Sequence, residues 1–162
     1  MMYVGIDPGL NGAVAFIYED GSVAVQDMPT MEVAGDGKVR NKYNTNAMAL
    51  MLRCFDPSDT RVILEAVHSM PKQGVASSFT FGEGLGMWKG IIAAFGYPLE
   101  MVTPQRWKKA MLADQGKDKD ASRYKAIQLF PSLTEQLKRV KDDGRAEALL
   151  MAEYGRRLRL GQ

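Results

Sequence analysis

The sequence predicts an α/β fold: a mixed sheet of five strands, three antiparallel and then parallel ones, with helices on both faces. Three observations carry that reading. Apolar alternation over 2–7, 12–19 and 22–28 marks three short strands joined by tight connections, which pair antiparallel. RVILEA (61–66) is instead a continuous apolar run, as a buried central strand requires. Beyond it, helix-like and strand-like segments alternate, which points to a sheet covered by helices. At 162 residues, 46% of them hydrophobic, the chain reads as one domain over 1–162 with enough apolar side chains for a core.

MYVGID (2–7) is the first strand. GAVAFIYE and SVAVQDM follow, joined through Asp20-Gly21, a hairpin signal. Residues 29–44 are charged and contain Gly35 and Gly37, and they read as a long mobile loop. A helix is expected over 45–55, with Met48, Leu52 and Phe55 facing a core, Cys54 a small core residue, and Asp56-Pro57 as the stop. RVILEA ends on Glu65 and Ala66. A long helix over 76–95 carries Gly82, Gly86 and Gly90, four apart on one face, where either the sheet or a second subunit approaches closely. YPLEMV (97–102) is the fifth strand. PQRWKKAM follows as a short helix with Pro104 in its first turn. Helical pieces are expected over 119–129 and 131–138, and a last helix over 142–158 buries Ala146, Leu149, Leu150 and Ala152.

Several classes are excluded. No apolar run reaches membrane-spanning length, and the first residues lack the pattern of a signal peptide. A single cysteine, Cys54, permits no internal disulfide, in keeping with a cytoplasmic setting. The net charge of +2 divides unevenly: residues 1–81 hold 6 Lys and Arg against 9 Asp and Glu, and residues 82–162 hold 15 against 10. The basic half suits either a polyanion or a plain solvated surface.

Asp7 closes the first strand, where β-propensity disfavours it. Asp-Pro-Gly is good turn chemistry, and it also mounts a carboxylate rigidly at a strand end. Glu65 closes the fourth strand. If the two strands are parallel neighbours, both carboxylates emerge at one sheet edge, where α/β folds place their sites. Asp143 and Glu147, four apart, share a face of the last helix, and Asp142 reads as its cap. Carboxylates gathered from distant segments, with no His or Cys cluster, suit a hard cation, Mg²⁺ or Mn²⁺. Two such ions, about 3.5–4 Å apart, clamp both oxygens of a phosphodiester displacement.

Taken in order, VGIDPGLNGAVAF, VILEAVHSMP, FGEGLGMWKGIIAAFGYPLEMVTPQRWKKAM and DDGRAEALLMAEYG resemble the RuvC Holliday-junction resolvases of the ribonuclease-H-like superfamily, above all their short phage and bacterial forms. The resemblance runs through nearly all of 2–156. It implies a homodimeric, metal-dependent endonuclease that nicks two symmetry-related strands of a four-way DNA junction and leaves 5′-phosphate ends. Asp7, Glu65 and Glu147 match its acidic positions. Its remaining acid falls on Gly144, so Asp143, with Asp142 beside it, is the nearest substitute. Lys108 matches the first phosphate-holding lysine, and Lys119, or alternatively Lys117, the second. Lys109, Lys72, Arg106 and Arg123 are counted with them as DNA contacts. His68 stands where bacterial resolvases carry an aromatic that stacks near the junction centre. Phe79 and Phe81 are alternative wedges, read first as buried helix residues, and Trp88 and Trp107 are read as packing. Lys38, Arg40 and Lys42, and Arg156, Arg157 and Arg159, would extend the footprint. The rival readings are a broader fork, flap or hybrid nuclease and a junction binder that has lost catalysis.

Overall fold

The computed structural model describes residues 1–66, 74–115 and 118–161. Its centre is a five-stranded sheet built from β1 (Met2–Asp7), β2 (Ala13–Ile17), β3 (Val23–Asp27), β6 (Thr60–Glu65) and β7 (Leu99–Val102), in the order β3-β2-β1-β6-β7. The three hairpin-connected strands pair antiparallel, and β1 runs parallel to β6, as β6 does to β7. Val4 pairs with Val62 and Ile6 with Leu64, so Asp7 and Glu65 leave the sheet side by side at its carboxyl edge.

Alternation along the strands divides the core in two. Val4, Ile6, Val14, Phe16, Val62 and Leu64 face α1 (Thr45–Leu52) and α2 (Val75–Phe95). Tyr3, Ala13, Ala15, Ile17 and Ile63 face α3 (Pro104–Met111), α4 (Ala121–Leu129) and α6 (Asp143–Leu160), with the single turn α5 (Thr134–Leu137) beside them. Gly5 sets the approach of α6: a Cβ there would come within 2.1 Å of the Ala148 carbonyl oxygen and 2.5 Å of the Ala152 nitrogen. Each fully buried aliphatic side chain in these layers contributes roughly 1.5–3 kcal/mol. Among the described residues, no helix is long and apolar enough to cross a membrane.

Two expectations are corrected and a third is narrowed. Residues 30–43 are not a loop but a second, two-stranded sheet, β4 (Thr30–Gly35) and β5 (Lys38–Tyr43). Its turn places Asp36 at φ 52° and Gly37 at φ 71°, the left-handed pair that suits a two-residue hairpin. Cys54 is exposed, because α1 stops at Leu52 and leaves it in the following turn. The stripe of Gly82, Gly86 and Gly90 does not meet the sheet: among the described residues nothing lies within 4 Å of where their Cβ atoms would stand. The close approach is at Gly84, against Tyr43 and the Pro8 carbonyl.

Candidate active site

Asp7 is held from its own turn. The Gly9 amide donates to Asp7 Oδ1 at 3.2 Å, and the Gly12 amide closes the loop on the Gly9 carbonyl at 2.9 Å. The turn and the mounting are therefore one device. Glu65 is buried, and its Oε1 accepts a hydrogen bond from Trp107 Nε1 at 2.9 Å. Glu147 comes from the second turn of α6, and Lys108 Nζ sits 2.7 Å from its Oε1. Two consecutive residues of α3 thus address two acids, an arrangement that follows from the helix start: Thr103 caps it and Pro104 occupies its first turn. Lys108 Nζ also lies 5.1 Å from the Trp107 ring centroid.

The three acids feel one another. Burial, then the Glu65 carboxylate and then that of Glu147, push Asp7 up to about 7, against the pull of the Gly9 amide and Lys108. Burial is also the main reason that Glu65 titrates above the usual carboxylate range, with Glu147 adding to it and the Trp107 bond opposing. A cluster of like charges with one lysine among them favours a cation at its centre. The donors are all oxygens, as Mg²⁺ or Mn²⁺ prefers, so the residues fit the implied ion by chemistry. Among the described residues, no three acidic, His or Cys side chains encircle a single point as they stand; Glu65 is on Trp107 and Glu147 on Lys108.

The fourth acid is where the geometry departs from expectation. A Cβ on Gly144 would lie 2.5 Å from the Asn11 carbonyl oxygen and 3.2 Å from Asp7 Oδ2, so that position admits no side chain without movement. Asp143 is half exposed and paired with Arg123 Nε at 2.8 Å. Asp142 is buried and gripped by Arg139, which holds its carboxyl below the usual range. Arg123 is corrected as a DNA contact: it is 5% exposed, and its guanidinium is committed to Asp120, Asp143 and the Lys138 carbonyl. Arg156 and Arg157 are likewise occupied by Glu153. Lys109, Arg106 and Lys119 are exposed. Phe79 and Phe81 are exposed rather than buried, and Phe81 borders a recess of about 520 Å³ beside Asp7. His68, Lys72 and Lys117 lie outside the described residues.

Three residues escaped the sequence reading. Trp107, taken as packing, is the partner of Glu65. Tyr43 is buried, and its hydroxyl donates to the Pro8 carbonyl at 3.0 Å; burial, then Asp7 and Glu83, push its own pKa up to about 12. Glu83 keeps one buried carboxylate oxygen without a hydrogen-bond partner. The Trp107 contact joins residues 42 apart and the Tyr43 contact residues 35 apart, so no local pattern announces either.

No protein-family model matches the chain. Two solved structures share its fold along its whole length. Thermus thermophilus RuvC aligns with a TM-score of 0.59 at 17% identity, covering 100% of this chain and 98% of that one. T. thermophilus RuvC in complex with a Holliday junction substrate aligns at 0.57 and 16%, covering 99% and 97%. A curated relative, the chloroplastic Holliday junction resolvase MOC1 of Chlamydomonas reinhardtii, is 33% identical over 85 residues, 52% of this chain. The matched stretch is 10% of that protein, so the chain spans only a small part of its length.

Proposed function

We propose that this chain, which has the RuvC fold, is a divalent-metal-dependent endonuclease that resolves four-way DNA junctions. One observation carries the reading: the sheet and α6 bring Asp7, Glu65 and Glu147 to one edge, with Lys108 paired to Glu147 and close enough to act on the other two. Asp7, Glu65 and Glu147 would hold Mg²⁺ or Mn²⁺, one ion or two, which when bound supplies Lewis-acid stabilisation and lowers the pKa of water. The rest is the work of the protein. The Gly9 amide aims Asp7, and the Trp107 indole fixes the rotamer of Glu65. Lys108, 43% exposed, can turn from Glu147 to a phosphate oxygen and offset the negative charge that builds there. Lys109, Arg106 and Lys119, with Lys72 and Lys117, would bind the flanking backbone without reading bases. A homodimer cutting two symmetric strands and leaving 5′-phosphate ends completes the proposal; the open stripe of Gly82, Gly86 and Gly90 is a smooth surface for a second copy. The exposed, unpaired Cys54 suits a reducing cytoplasm.

Gly144 favours one alternative, a junction binder whose incomplete ligand set no longer cuts. The test is cleavage of labelled four-way junction, fork, flap and linear duplex with Mg²⁺ or Mn²⁺, wild type beside Asp7→Asn. Paired symmetric nicks in the junction alone, lost in the variant while binding persists, support the resolvase. Equal cutting of forks and flaps supports a broader nuclease, and tight binding without cutting supports the binder.

A further inference from the structure

The β4–β5 ribbon is exposed along both strands up to its foot, and the proposed reaction gives it no part. Its register sorts its side chains. Lys38, Arg40 and Lys42 alternate along β5 and therefore share a face, opposite Gly35, Val33 and Met31. The ribbon's acid-bearing strand position, Glu32, pairs with Asn41 on the other face, and Asp36 sits in the turn. All three cations are exposed, and among the described residues none has an ion-pair partner. At the foot, the opposite face sends Tyr43 into the core, where it bonds to the Pro8 carbonyl. On that same Tyr43 face, and not on the cationic one, a recess of about 470 Å³ is bordered by Thr30 and Asn41 of the ribbon, by Asn11 and Gly12 of the loop after Asp7, and by Asp27 and Asp142.

We propose that this ribbon is a second DNA-binding surface, whose cationic face lies along the phosphate backbone of the duplex arm next to the cut strand. Residues two apart on a strand are separated by about 7 Å, so the three cations span about 14 Å. Successive phosphates along a DNA strand are separated by a distance similar to that between neighbouring cations, about twice the roughly 3.4 Å axial rise per nucleotide, so the cations match about three of them. Met31 and Val33, 48% and 40% exposed, stand directly across from Lys42 and Arg40 on the same face and meet the sugar faces. Tyr43 ties the ribbon to the catalytic turn, so it delivers the backbone to Asp7 in a fixed relation. The inference rests on the nuclease reading above, and it names where that site's substrate continues.

The test is the salt dependence of junction affinity for wild type and for the combined Lys38→Ala, Arg40→Ala, Lys42→Ala variant, with the thermal melt of each. Three lost phosphate contacts lower the slope of log K against log salt by about 2.7. The affinity penalty therefore shrinks about 40-fold between roughly 50 and 200 mM salt. Val39→Ala, on the opposite face, keeps the wild-type slope, and Lys38→Arg with Lys42→Arg keeps it as well. An unchanged slope and affinity in the triple variant, with wild-type junction binding and cutting intact, overturns the ribbon and leaves the nuclease standing. A wild-type chain that binds no branched DNA overturns both.

Discussion

Replacing Gly144 by Asp puts a carboxylate where the resemblance to RuvC resolvases expects one. If the site merely lacked a ligand, the change would improve it. The geometry argues the reverse. A Cβ at residue 144 would stand 2.5 Å from the Asn11 carbonyl oxygen, 2.9 Å from Gly12 Cα and 3.2 Å from Asp7 Oδ2. The first two are backbone atoms of a turn already closed by the Gly12 to Gly9 hydrogen bond, so neither yields as a side chain would. Overpacking of this kind costs about 1–3 kcal/mol. In a chain of this size each kcal/mol moves the melting point by about 2–4 °C, so Tm should fall by about 2–12 °C. The new carboxylate also adds like charge beside Asp7, whose pKa already stands at about 7. Cleavage should therefore fall, by about tenfold or more if Asp7 loses 1.4 kcal/mol of positioning. Calorimetric melts of wild type, Gly144→Ala and Gly144→Asp, with single-turnover junction cleavage, check this. A Gly144→Asp protein with wild-type Tm and equal or faster cutting would refute the reasoning and show a vacant ligand position.

Two further outcomes follow from the same geometry. Because the folded state lifts Asp7 from 3.8 to about 7, the metal-free protein binds that proton more tightly than the unfolded chain does. The resulting stability is fully present below about pH 3.8 and is lost as pH rises to about 7, by up to about 4 kcal/mol. Asp7→Asn should thus melt above wild type in chelator near pH 8, the gap closing toward pH 4, while cutting is abolished; a gap independent of pH would sink the argument. Trp107→Phe keeps a large ring but removes the 2.9 Å donor to Glu65. The Mg²⁺ midpoint for cleavage should rise about tenfold or more, and a wild-type midpoint would show that the indole only packs.

The sheet was legible because its signals are local. The strand alternation, the continuous run before Glu65 and the Thr103-Pro104 helix start each sit within a few residues, and 104–111 was read to the residue. Asp7 and Glu65 were legible as candidates because each closes a strand, and parallel pairing then puts them together. The β4–β5 ribbon is hidden in the sequence because, apart from Tyr43 at its foot, neither of its faces enters the core, so no clear apolar alternation marks it; Asp36-Gly37 is the available clue. Arg123 was misjudged because charge in sequence looks like surface, whereas three acceptors permit its burial. Gly144 could be seen as a missing acid, but only the packing of α6 against the turn shows why none fits.

The order in which the chain is made has a consequence for the assembly of the acid cluster. β1 emerges first and carries Asp7, yet the helix that covers its Gly5 face and supplies Glu147 is α6, the last element to appear. Until α6 docks, Tyr3 and Ile63 lack their cover, and the acid cluster is short of one member. A chain that stalls or is cut before α6 thus loses one of its two core layers and its full set of carboxylates together. For the nuclease proposed above, a partial product would lack the complete site together with the packing that assembles it.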